Sequence, residues 1–188
     1  MKRGFTIVEL IIVITVIGIL AAISLVSYSS VISRAHNSKI IAGVRIYLDQ
    51  INVYHAQNGY WPTTGPEDAG QHISVVCLGT GYASSACGTV SGVNVFQDTV
   101  FNLKMVSYVG SNPPALNDQS LASGPEAFVG AVYGNDGTTL LPGYTYARTI
   151  QYALNGANAD CQISGAVSYR LTTNPDVTAC EIDLEAIY

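Results

Sequence analysis

The chain has 188 residues, enough for one globular domain and an appendage but not for two domains with separate cores. Only 11% of it is charged, against about a quarter in ordinary soluble proteins, and its mean hydropathy is positive, which argues against a freely soluble cytosolic protein. A formal charge of −5 speaks against a nucleic-acid-coating surface, and a 48% hydrophobic content excludes intrinsic disorder.

The first element is the segment Phe5–Ser33, whose 29 residues include 20 apolar ones and a single charge, Glu9. About 20 apolar residues suffice for a helix to cross a bilayer, so Phe5 to about Tyr28 qualifies as a membrane span. Lys2 and Arg3 precede it and no basic residue follows before Arg34, so the N-terminus is expected in the cytoplasm and the remainder outside. A secretory signal peptide cut near Ala22-Ile23-Ser24 is the alternative. Against it, the apolar run continues to Val31-Ile32, and Glu9 sits inside the run, where a carboxylate is costly. Thr6-x-x-Glu9 has the form of a capping box, and Gly18 and Ala22 form a small-xxx-small pair that lets helices approach closely.

The residues Gly4-Phe5-Thr6-Ile7-Val8-Glu9-Leu10-Ile11-Ile12-Val13-Ile14 resemble the start of type IV prepilins and pseudopilins. The resemblance covers Lys2–Tyr28 and fades afterwards. It implies a leader, residues 1–4, cut after Gly4 by a prepilin peptidase. It also implies N-methylation of the new N-terminal residue, Phe5, and an assembly role for Glu9. Loss of Lys2 and Arg3 would lower the formal side-chain charge from −5 to −7. Many family members carry a proline where this chain has Val26. A break near Gly18 is therefore weakly encoded, since glycine alone costs a helix only about 1 kcal/mol.

After Ser33 the pattern changes. Ile40, Ile41, Val44, Tyr47, Leu48, Ile51 and Tyr54 follow 3–4 spacing, with Lys39, Asp49, Gln50, Asn52 and Gln57 mostly off that stripe. The spacing predicts an amphipathic helical half, residues 34–58, with one face on a head. No proline interrupts Phe5–Asn58, and Asn58-Gly59 followed by Pro62 is a stop signal. Such a helix would be about 80 Å long, and a head of this size covers only half of it. The segment Tyr54-His55-Ala56-Gln57-Asn58-Gly59-Tyr60-Trp61-Pro62 resembles the exit that follows the long helix in many pilins and pseudopilins.

Residues 59–188 read as a β-rich head. Beyond Gly59, three basic residues stand against eleven acidic ones. Strands are expected at Ile73–Leu78, Val93–Gln97, Val100–Val109, Phe128–Tyr133, Tyr144–Leu154, Ala166–Thr172 and Thr178–Ala186, separated by Asn/Asp-Gly and Asn-Pro turns. In the fifth, Tyr144, Tyr146, Arg148, Ile150, Tyr152 and Leu154 share one face. An antiparallel sheet packed on the amphipathic half of a long helix makes the fold class α+β.

Four cysteines permit three pairings. Cys77 with Cys87 and Cys161 with Cys180 is the local pairing and closes the smaller loops. A zinc site made of all four is the rival, disfavoured because no C-x2–4-C pair occurs. His36, His55 and His72 are too scattered for a metal cluster, and His36 and His55 are expected to be solvated. Glu181, Asp183 and Glu185 alternate and read as a solvated strand face, with a cation or glycan site as the alternative. Asn155, Asn158 and Asp160 read as a satisfied turn because calcium-loop spacing is absent. Arg34, Lys39 and Arg45 are expected to be solvated or near lipid headgroups. No hydrolase, zincin or nucleotide-binding motif occurs, so no catalytic residue, cofactor or metal is expected.

The expected function is a structural subunit that polymerises through its N-terminal helix into a type IV pilus filament. The alternatives are a pseudopilin of a type II secretion system and a membrane-anchored binding domain that stays monomeric. The resemblance implies as partners other copies in a helical filament, prepilin peptidase, the pilus assembly machinery and the inner membrane before assembly. It places the assembled filament on the cell surface. Direct nucleic acid binding is not expected.

Overall fold

The computed structural model describes residues 6–63, 75–82, 85–90, 93–109, 116, 130–134, 148–170 and 176–186. The chain divides into two compact units, Met1–Ala35 and His36–Tyr188. One helix, α1 (Ile7–Asn58), contributes to both. The absence of proline permits it, and it stops where Gly59, at φ 77°, donates its N–H to the His55 carbonyl at 2.8 Å.

In the first unit, α1 holds an 18-residue apolar stretch, Ile7–Ser24, long enough to cross a membrane and with none of its residues buried. In the second unit, α1 turns one face into a core. Ile40, Ile41, Val44, Tyr47, Ile51 and Tyr54 are buried and Leu48 is partly so, as the 3–4 spacing requires. Gln50 departs from the reading that put it off the stripe, being fully buried at the stripe's margin.

Among the described residues seven strands follow: β1 (Val75–Cys77), β2 (Ala86–Val90), β3 (Val93–Gln97), β4 (Ala131–Gly134), β5 (Thr149–Asn155), β6 (Ala166–Arg170) and β7 (Val177–Asp183). They form one sheet in the order β2-β3-β1-β4-β5-β7-β6. The sheet is mixed rather than wholly antiparallel, because β1 pairs with β3 in parallel, with Val76 opposite Phe96. The cause is topological. The β2–β3 hairpin folds back so that β3, not β2, lies beside β1. Strand β2 was not anticipated, since Ala86-Cys87-Gly88 gives no alternating signal.

The expected strand Val100–Val109 is a helix, α2 (Thr99–Val109). Asp98 caps it, accepting the Phe101 N–H on Oδ1 at 2.7 Å. The buried residues Phe101, Asn102 and Met105 lie at i, i+1 and i+4, which is helical spacing. The segment's β-branched and aromatic content reads as strand, and the cap overrides it. The expected start of β5 at Tyr144–Ala147 lies outside the described residues.

Both sheet faces are buried. One carries Ala131, Tyr133, Ile150, Tyr152, Leu154 and Ile182, clustered with the buried residues of α1 and with Phe101 and Met105 of α2. The other carries Val132, Ala153, Val177 and Ala179, clustered with Cys77, Cys87 and Val95. The second cluster overturns the expectation of a solvated face at Glu181. That residue is 2% exposed and its Oε1 accepts from Gln151 Nε2 at 3.1 Å, directly across the β5–β7 ladder. Asp183 is half-buried, and Glu185 lies beyond the strand, paired with Arg148, so the three acids do not form one surface.

Candidate functional site

The N-terminal turn of α1 is built by Thr6 and Glu9. The Thr6 N–H and Oγ1–H both donate to Glu9 Oε2 at 2.8 Å, while the Glu9 N–H donates to Thr6 Oγ1 at 3.3 Å. This is a reciprocal capping box, and it satisfies backbone donors that a helix start leaves unpaired. It also holds the carboxylate at the mouth of the helix, where the dipole favours negative charge. A carboxylate has about four acceptor sites, so the contacts to Thr6 leave capacity for a further donor. Gly4 and Phe5 lie outside the described residues.

Among the described residues, the apolar side chains that follow meet no partner of their own chain. Ile7 is 80% exposed, and Leu10, Ile14, Ile17 and Leu20 are all more than half exposed. Gly18 has nothing within 4 Å of where a Cβ would stand. Thr15 and Ser24 turn their hydroxyls back onto the carbonyls of Ile12 and Leu20, both at 2.8 Å, removing polar groups from the helix surface. Such a surface needs lipid or other helices around it.

In the head unit, polar ties fix α1 to the loop after β5. The Asn37 side chain donates from Nδ2 to the Asn155 carbonyl at 2.9 Å and accepts the Asn155 N–H on Oδ1 at 2.8 Å. Arg45 donates to the carbonyl of Gln162. Thr178 Oγ1 donates to the Gly156 carbonyl at 2.6 Å and accepts the Ala159 N–H at 2.9 Å. Asn155 thus enters the network through its backbone, and Asp160 serves a backbone group, its Oδ1 taking the Gln162 N–H at 3.0 Å. Among the described residues no group of three or more His, Cys, Asp or Glu gathers. The two disulfides in the structure are Cys77–Cys87, joining β1 to β2, and Cys161–Cys180, joining this same loop to β7.

His55 corrects an expectation of solvation. It is half-buried, its ring stacked on Trp61 at 4.1 Å and 14°, with the Arg148 guanidinium 5.8 Å from the Trp61 ring centre. His36 is likewise half-buried. Sequence reading missed the Asn37 tie, which carries no local signal. It also missed the Asp98 cap, whose signal was an Asp just before an apolar run.

Four tyrosines, Tyr47, Tyr82, Tyr133 and Tyr152, are held neutral. Burial pushes each hydroxyl well above its ordinary value, with smaller contributions from charges and hydrogen bonds nearby. Tyr133 donates to the Pro62 carbonyl at 3.1 Å and Tyr152 to the Cys161 carbonyl at 2.8 Å. Their roles are structural, bridging the sheet to the helix exit and to the disulfide loop.

Residues 1–25 match the family model of the prokaryotic N-terminal methylation motif. The chain is 32% identical over 93 residues to the fimbrial protein EcpC of Eikenella corrodens, covering 50% of this chain and 58% of that protein. It is 36% identical over 66 residues to the type IV major pilin protein PilE1 of Neisseria gonorrhoeae, covering 35% and 31%. A fimbrial protein of Neisseria meningitidis serogroup B is 30% identical over 102 residues, covering 50% and 59%. The chain thus spans less than two thirds of these relatives' lengths. No solved structure matches the chain.

Proposed function

We propose that this chain, a relative of the type IV pilins carrying the prokaryotic N-terminal methylation motif, is a structural subunit that polymerises through α1 into a pilus filament. One observation carries the reading: the motif sits on the N-terminal stretch of α1, Ile7–Ser24, whose apolar side chains are exposed all round and whose only acid, Glu9, is held at the first turn. A signal peptide is discarded, whereas cleavage before Phe5 leaves this helix attached to the head. Lipid covers it first, and other copies of the helix cover it in the polymer.

In this reading the precursor sits in the inner membrane with its head outside the cytoplasm, and prepilin peptidase removes residues 1–4. The new Phe5 amine and Glu9 then place one positive and one negative group on each subunit, four residues apart. In a helical core with little water, an unpaired carboxylate is strongly disfavoured and a neighbour's amine relieves it. Subunits staggered to make this pair are selected over those that are not, which sets register.

The test begins with shear fractions viewed by negative stain and the mass of the exported N-terminus. Filaments containing a chain that starts at Phe5 are expected. An intact leader, or a start near Leu25, overturns the reading. Glu9→Ala is then expected to be exported and processed normally but to enter filaments poorly, with Glu9→Gln intermediate. Normal filament yield from Glu9→Ala at equal expression would leave the acid only its capping role.

A further inference from the structure

The head unit exposes two apolar surfaces among the described residues, and they lie on different elements. The first is on α2 and the strand before it: Phe96, Val100 and Leu103 are 51%, 50% and 64% exposed. Val100 and Leu103 stand three apart on one side of α2, while Phe101 and Met105 face the core, so this helix is apolar on two sides. The second lies on the side of α1 turned away from the core. Ala42, Ile46, Asp49, Val53 and Ala56 are all exposed and repeat at 4-3-4-3 spacing, a heptad seam with a single acid in it. Ile46 and Val53 are each 37% exposed, and the alanines flanking them allow close approach of another helix.

We propose that these two surfaces are the halves of one contact between copies: α2 of one subunit docks on the outward seam of α1 of the next. The inference rests on the filament reading above and adds a head-to-helix interface to it. An open polymer needs a heterologous contact, in which each copy presents two different, mutually fitting patches. A lone exposed residue such as Val167 needs no explanation, whereas three large apolar side chains exposed within the short stretch Phe96–Leu103 do. Charge points to a second copy as the occupant. Between Arg34 and Asn58 the helix carries Arg34, Lys39 and Arg45 against Asp49, a balance of +2. The head beyond Gly59 carries three basic and eleven acidic residues, a balance of −8. Placing one copy's acidic head on another's basic helix is attractive, whereas pairing two heads is repulsive.

The experiment uses the full chain, exported and assembled, with Leu103→Cys combined with Ile46→Cys or with Val53→Cys. The four native cysteines are already paired, and the new positions are exposed, so folding is little affected. Mild oxidation of sheared filaments is expected to give a ladder of covalent multimers with at least one combination, since a disulfide needs Cα atoms within about 7 Å. Each single variant is expected to give none. A dimer from Leu103→Cys alone would mean that α2 meets α2, and would overturn the proposal. So would intact filaments with no ladder from either combination, which would leave the filament reading standing. Absence of filaments from the unmodified chain would end both. A charge swap supplies the second arm. Leu103→Lys and Ile46→Glu, the second placed beside the like-charged Asp49, should each lower filament yield at least about tenfold, an unpaired charge in an apolar contact costing well over 1.4 kcal/mol. The two together should restore most of it. Failure of the pair to recover, with each variant folded normally, overturns the pairing of these surfaces.

Discussion

Gln50 is the residue that fits its surroundings least. It is fully buried between Tyr47 and Tyr54 along α1, yet among the described residues neither its amide nitrogen nor its oxygen has a hydrogen-bond partner. The Tyr47 hydroxyl, one turn away, has no partner among the described residues either. Burying an amide without a partner costs about 1–3 kcal/mol. Gln50→Met, which keeps the volume and removes the polar atoms, is therefore expected to raise head stability by about that amount in thermal melts of the detergent-solubilised chain. A loss of stability would show that buried water satisfies the amide. Gly130 is the opposite case. At φ 75°, a Cβ there would stand 2.1 Å from the Leu116 carbonyl oxygen, so only glycine fits.

Among the elements, β7 and the β5–β6 connection are the most heavily cross-tied. β7 pairs with β5 over seven residues and with β6 over five, and Cys161–Cys180 locks the connection to it. The tie to Asn37 brings α1 into the same assembly. A disulfide closing a loop of this size stabilises by about 3 kcal/mol on the chain-entropy model. Replacing Cys161 and Cys180 together by Ala should lower the melting point by that equivalent. Non-reducing peptide mapping of the exported protein should recover Cys77 with Cys87 and Cys161 with Cys180. A Cys87–Cys161 bridge would contradict this wiring.

For the whole molecule, the buried tyrosines set an alkaline limit. Tyr47, Tyr82, Tyr133 and Tyr152 have hydroxyls raised by burial, so the folded head keeps its protons where the unfolded chain has lost them. Stability is then complete below the ordinary tyrosine value of about 10 and declines as pH rises past it, by up to about 1.4 kcal/mol per pH unit for each tyrosine. Thermal melts between pH 8 and 11 should show a flat region and then a fall. Tyr47→Phe should shallow the fall, since it removes one such proton from a hydroxyl that has no hydrogen-bond partner among the described residues. A melting point independent of pH to 11 would contradict the burial of these rings.

The sequence by itself determined the elements whose signal is periodic and local. An uninterrupted apolar run without proline gives α1, the 3–4 stripe gives its buried face, Asn58-Gly59 gives its end, and Thr6-x-x-Glu9 gives its cap. Strand β3 was legible to the residue because Val93–Gln97 stands between turn signals. What the tertiary structure alone decided is whatever depends on neighbours distant in sequence. It turned Val100–Val109 into a helix, because a cap at Asp98 and burial of Phe101 and Met105 outweigh strand-like composition. It put β3 rather than β2 beside β1, a choice made by where the hairpin packs. It buried Glu181, because both sides of the sheet are covered, and Gln50, at the margin of the α1 stripe, and no period in a single strand or helix records what lies beyond it.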